Sequence, residues 1–88
     1  MLKIVRSANS EAVVYFLSGR IDQEHIVELQ AAFDAETEPI KLDLQEVTRI
    51  DRECVPTLAR WQASGIAFVN CPAYLRNWIS RVRTGKRT

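Results

Sequence analysis

Ile40 to Cys54 (IKLDLQEVTRIDREC) constrains the fold more than any other stretch of this chain. Ile40, Leu42 and Leu44 alternate with Lys41 and Asp43, the period-two pattern of a strand with one apolar and one polar face. A polar turn to Asp51 follows, and the spacing then changes to that of a helix, with Val55, Leu58, Ala59 and Ala63 on one side. In open α/β sheets, ligands and partners dock where the carboxyl end of a strand passes into a helix amino terminus. Function is therefore expected around Arg49 to Pro56.

Elements of the same kind lie on either side. Leu2 to Val5 reads as a first strand and the cluster Ser7 to Glu11 as a turn. Ala12 to Leu17 is apolar at every position, which predicts a strand covered on both faces and ended by Gly19. Asp22 is a good helix N-cap, and Ile26, Leu29 and Phe33 recur at helical spacing up to Asp34. Glu36 to Pro39 is a loop. Pro56 has no N–H and is best tolerated in a helix's first turn, so the next helix should start nearer Glu53 than Asp51 and end at Gly65. Ile66 to Val69 is a last strand. Pro72 opens a final helix with Leu75, Trp78, Ile79 and Val82 inward. The order β-β-α-β-α-β-α predicts a small α/β domain, a four-stranded mixed sheet with three helices joined by right-handed crossovers.

With 88 residues there is room for one core, placed at residues 1–82, and for a surface site rather than an enclosed one. Twelve basic and eleven acidic residues nearly cancel overall, but the distribution is lopsided. Arg76, Arg81, Arg83, Lys86 and Arg87 close the chain without a single acid. The basic tail at 83–88 reads either as a solvated terminus or as a contact for nucleic acid or anionic lipid. Cys54 and Cys71 lack ligand-like spacing and His25 is the one histidine, so no metal or cofactor is expected. Without a signal-like or membrane-spanning run, the expected setting is reducing and cytoplasmic.

Three segments carry a family likeness: LSGRID at Leu17–Asp22, IKLDLQEVTRID at Ile40–Asp51 and GIAFVNCP at Gly65–Pro72. In this order and spacing they resemble the STAS family, best known for bacterial anti-sigma factor antagonists, over Leu2 to Val82. The resemblance implies a STAS-like fold and a non-catalytic protein-interaction role. In the regulated members, Asp-Ser-Ser-Gly or a close variant begins the helix after the third strand. A kinase phosphorylates the second hydroxyl residue, and the unmodified form binds the anti-sigma kinase. The aligned residues here are Asp51, Arg52, Glu53 and Cys54. Glu53 stands at the acceptor position, so no phosphorylation is expected there, and Cys54 replaces the glycine.

Read on its own chemistry, Glu53 is an acid in a helix's first turn, favoured by the macrodipole, or a permanent charge in place of a modified serine. The partner-binding candidates are Thr48, Arg49, Asp51, Arg52, Glu53, Val55, Leu58 and Trp61. Asp51 would shape the loop, Arg52 and Glu53 would set charge complementarity, and Val55, Leu58 and Trp61 would supply contact area. Trp61, off its helix's main stripe, is equally readable as cover for the core edge. The implied partner is a regulatory protein, an anti-sigma factor or kinase-like protein. Nucleic acid is not the expected partner, membrane contact is expected only indirectly, and the oligomeric state is open. One alternative is an accessory subunit of a larger assembly, such as the STAS subunits of lipid-transporting ABC systems. Another is a small thiol enzyme using Cys54, whose thiolate a helix amino terminus and Arg52 would favour. Acid–base work by Asp43, Asp51 and Glu53 is not expected, because nothing brings them into one pocket.

Overall fold

The computed structural model describes residues 2–85, with side chains described through Val82. The elements are β1 (Leu2–Ala8), β2 (Val13–Ile21), α1 (Gln23–Asp34), β3 (Ile40–Ile50), α2 (Val55–Ala63), β4 (Ala67–Val69) and α3 (Ala73–Gly85). A single 3-10 turn, Arg52–Cys54, joins β3 to α2. The strands lie in the order β1-β2-β3-β4, with β1 antiparallel to β2 and the other pairs parallel. This is the expected four-stranded mixed sheet with three helices. Of the tail 83–88, residues 83–85 continue the backbone of α3, and residues 86–88 lie outside the described residues.

Local chemistry explains the boundaries. The Asn9 side-chain oxygen accepts from the backbone N–H groups of Glu11 and Ala12 at 2.8 and 2.9 Å, closing the β1–β2 turn. Asp22 caps α1 as expected, its Oδ1 accepting from the His25 backbone N–H at 3.1 Å. Pro56 sits in the first turn of α2. Helix α2 ends with Ser64 as C-cap, and Gly65 follows with φ +113°, a left-handed conformation that disfavours side chains.

Three strands differ from the sequence expectation: β1 runs on past Val5 to Ala8, so Ser7 and Ala8 pair with β2 instead of forming the turn. β2 does not stop at Gly19: it runs on to Ile21 through register shifts against β3, with Gly19 at φ +102° inside it. β3 spans 11 residues to Ile50, so Thr48 and Arg49 belong to a strand rather than a loop. The apolar period breaks after Leu44, but Val47 and Ile50 resume an inward face, and both are buried. The shift of pairing from Phe16–Asp43 to Ser18–Glu46 absorbs the break.

The core occupies one face of the sheet. Leu2, Tyr15, Leu17, Leu42 and Leu44 from the strands form one cluster with Leu29, Leu58, Leu75 and Ile79 from the helices. The other face is open: Val5 and Phe16, paired across β1 and β2, are 45% and 44% exposed. The expectation that β2 is covered on both faces is thus corrected. Because β2, β3 and β4 follow one another across the sheet, successive crossovers lay their helices on one side and leave no element for the second. All four residues expected inward on α3 pack on this core, Leu75 and Ile79 fully and Trp78 and Val82 at its margin.

Three rings pin α1 and α2 to the sheet. Phe33 meets Tyr15 edge-on at 5.0 Å between centroids and Trp61 at 4.8 Å. Trp61 donates its indole N–H to Gln30 Oε1 at 2.7 Å and is 3% exposed. Its off-stripe position is therefore cover for the core edge. Tyr15 donates its hydroxyl to Glu36, which also accepts a two-bonded fork from Arg6 at 2.8 and 3.0 Å. The Arg6 and Tyr15 hydrogen bonds hold the Glu36 carboxyl down at about 2.

Trp61→Ala is expected to cost about 3–5 kcal/mol by the loss of a buried aromatic, read as a fall in unfolding midpoint in denaturant. Glu36 gives an acid signature with a fixed sign. Its folded-state value lies below the ordinary 4.5, so it stabilises the fold above that value, and the stabilisation is lost as pH falls toward 2. Glu36→Gln is expected to flatten the decline of stability across that interval while leaving the profile above it parallel to the original.

Candidate functional site

The corner singled out by sequence lies where β2 and β3 end together. Ile21 and Ile50 are register partners, and both are buried. Asp51 donates its backbone N–H to Ile21 O at 3.0 Å, extending the parallel ladder by one residue. The chain then turns, and Cys54 donates its N–H to Asp51 O at 2.9 Å. The amino termini of α1 and of the segment leading into α2 consequently sit side by side.

Asp51 shapes this corner through an interaction that the sequence did not reveal. Its side chain caps no backbone N–H; both carboxylate oxygens instead accept from Arg20, Nε and Nη2 each at 3.0 Å. The fork ties the last turn of β3 back to β2, and it raises the Arg20 pKa further above its already high value. Arg20 is the residue of this corner that sequence reasoning missed. The signal lay in LSGRID: residue 20 precedes the inward Ile21, as Arg49 precedes the inward Ile50, so paired parallel strands place both arginines on the outward side.

The candidates divide into two groups. Thr48, Arg49, Arg52 and Glu53 are exposed, and Asp51 is half-buried beneath Arg20. Apart from the buried Ile50 these residues are consecutive in the chain, and they carry charge of both signs. Val55, Leu58 and Trp61 are not part of it: they are 0%, 0% and 3% exposed and belong to the core. Their expected role as contact area is corrected. The apolar side of α2 packs on the sheet and on α3, so its outward residues are Pro56, Arg60 and Ala63.

Cys54 is likewise turned inward. Its side chain is fully buried, and Sγ lies 3.9 Å from Ile21 O. Burial pushes the thiol up to about 11, with Asp51, Glu53 and Asp22 adding to the rise and Arg20 opposing it. The buried position and the raised thiol disfavour the thiol-enzyme alternative. His25 faces Asp22, Nδ1 to Oδ1 at 2.6 Å, and the His25 backbone N–H is the main cause that lowers the Asp22 carboxyl. Asp43 stands apart, accepting from Asn70 Nδ2 at 3.0 Å. Among the described residues no group of three or more His, Cys, Asp or Glu is arranged to hold a metal ion. Nor is any described helix long and apolar enough to cross a membrane.

The family model described as "Mlab, STAS domain" matches residues 4–82. The chain belongs to the STAS family. The match runs from within β1 through β4 and most of α3, and it includes the three segments that carry the resemblance. No curated protein matches the chain. Within this STAS domain, Glu53 lies in the turn between β3 and α2, with its side chain in solvent.

The burial of Cys54 sets an outcome for thiol chemistry. In the Cys71→Ser variant at neutral pH, Ellman's reagent is expected to leave Cys54 unmodified in the folded protein and to react with one thiol on addition of guanidinium. Rapid reaction before unfolding would contradict the packing described for this corner.

Proposed function

We propose that this chain is a non-catalytic, cytoplasmic protein-interaction module of the anti-sigma antagonist type, fixed in one charge state. It docks a regulatory protein through the exposed strip Thr48, Arg49, Arg52 and Glu53, set on the Arg20–Asp51 fork. The reading rests above all on Glu53. A carboxylate occupies the place that resembles a phosphoacceptor, its side chain is solvent-facing, and the backbone on both sides is held by hydrogen bonds. Such a group carries a permanent single negative charge, against nearly two for a phosphoserine, and no kinase can add or remove it. Partner selection at this corner is then constitutive, with Arg49 and Arg52 supplying the opposite sign beside it. The inward, proton-retaining Cys54 thiol favours docking over thiol catalysis.

A second reading keeps the same surface and changes the assembly. As a constitutive accessory subunit, for example of a lipid-transporting ABC system, the chain would need no switch, which the carboxylate at position 53 also suits. Co-purification with a membrane ATPase supports that reading; co-purification with a soluble kinase-like protein supports the first.

The docking strip is tested by placing a photo-crosslinking residue at Thr48 or Arg52 in the native host. A single discrete adduct is expected from either position, and none from Val27, which is 63% exposed on α1. Glu53→Lys is expected to abolish the adduct while changing the unfolding free energy by no more than about 0.5 kcal/mol, as befits a surface charge. An adduct from Val27 alone, or one indifferent to Glu53→Lys, would overturn the assignment.

A further inference from the structure

Helix α3 carries a charge pattern that the docking corner does not use. Its inner side, Leu75 and Ile79, is buried in the core, with Trp78 and Val82 at the margin. Its outer side presents Tyr74, Arg76, Asn77, Ser80 and Arg81, all exposed. At 100° per residue, Asn77 and Ser80 run along the outward centre, with Arg76 on one flank and Tyr74 and Arg81 on the other. No acid occurs from Arg76 to the end of the chain, and Arg83, Lys86 and Arg87 add three further cations in sequence. The first 75 residues hold seven basic against eleven acidic residues, whereas α3 carries Arg76, Arg81 and Arg83 and no acid.

We propose that the outer face of α3 is a docking surface for an anionic phospholipid bilayer. Charge complementarity selects an anionic partner: Arg76 and Arg81 flank the outer face, no acid opposes them on the helix, and each cation held near acidic headgroups is worth about 1 kcal/mol. The aromatic residues favour a bilayer over a nucleic-acid backbone. Tyr74 is 50% exposed and stands on the Arg81 flank, with the partly buried Trp78 one turn along. Amphipathic rings bordered by arginine suit the level of lipid headgroups, where a polar tip meets water and the ring meets the acyl boundary. The acidic remainder of the molecule is repelled by the same surface, so approach is oriented with α3 toward the membrane. This surface is peripheral, since α3 remains packed on α2 throughout.

Co-sedimentation of the full chain with vesicles tests the assignment. Binding is expected to vesicles of phosphatidylcholine mixed with phosphatidylglycerol, to be absent with phosphatidylcholine alone, and to be reversed by added salt. Arg76→Ala with Arg81→Ala is expected to weaken partition about 30-fold, at about fivefold per cation. Lys3→Ala with Lys41→Ala removes equal charge from the open face of the sheet and is expected to change partition less than threefold, roughly the weak residual of screened charges. Tyr74→Ala, which leaves the charge unaltered, is expected to weaken binding further than the lysine pair. Unchanged circular dichroism of each variant separates loss of the surface from loss of the fold. Equal binding to neutral vesicles, equal loss from the lysine pair, or retention on duplex DNA without retention on anionic vesicles would each overturn the proposal.

Discussion

The parallel pairing of β2 with β3 is the constraint on which the rest of this structure depends. It is the longest strand interface in the sheet, and it brings Ile21 and Ile50 into register at the end where function is placed. Both side chains are buried, so a slip by one residue would turn them outward and expose Arg20 and Arg49 to the core. That penalty fixes the register. The bond from Asp51 N–H to Ile21 O and the fork from Arg20 to Asp51 then follow from geometry already set, and the 3-10 turn starts from a held residue.

From this pairing come both the closed and the open sides of the molecule. Crossovers through α1 and α2 stack on one face, where the Tyr15–Phe33–Trp61 series locks them and Leu75 and Ile79 of α3 complete the core. The same packing draws Val55, Leu58 and Cys54 inward, which leaves the corner with charged and polar groups alone. A surface of that kind discriminates between partners mainly through charge and geometry, because no apolar anchor is available at its centre. α3 adds a second charged surface, different in sign from the bulk of the molecule and built on a separate element.

Most of the architecture was legible in the sequence, for identifiable reasons. Asp22, Pro56, Gly65 and the 3.6-residue periods of α1 and α3 act locally, so their effect is visible without tertiary knowledge. What was not legible depended on pairing. The extension of β3 to Ile50 requires the register shift opposite Phe16 and Ser18, a property of two strands together. The open second face requires knowing that both crossovers fall on one side. At the site, the positions of Thr48, Arg49, Arg52 and Glu53 in solvent agree with a charged strand-to-helix junction. Trp61 was ambiguous from spacing because its cover is formed by Gln30 and Phe33 of another helix. Arg20 was invisible as Asp51's partner, since the two are 31 residues apart and meet only through the parallel ladder.

Amide hydrogen exchange at the corner tests most directly whether β2 and β3 hold it as a rigid platform. The Asp51 and Cys54 amides, which donate to Ile21 O and Asp51 O, are expected to exchange as slowly as those of the central β3 residues, through global unfolding. The Arg52 and Glu53 amides open the 3-10 turn, receive no cap from the Asp51 side chain, and are expected to exchange orders of magnitude faster. Fast exchange at Asp51 and Cys54, matching that of Arg52 and Glu53, would contradict a corner fixed by its strands.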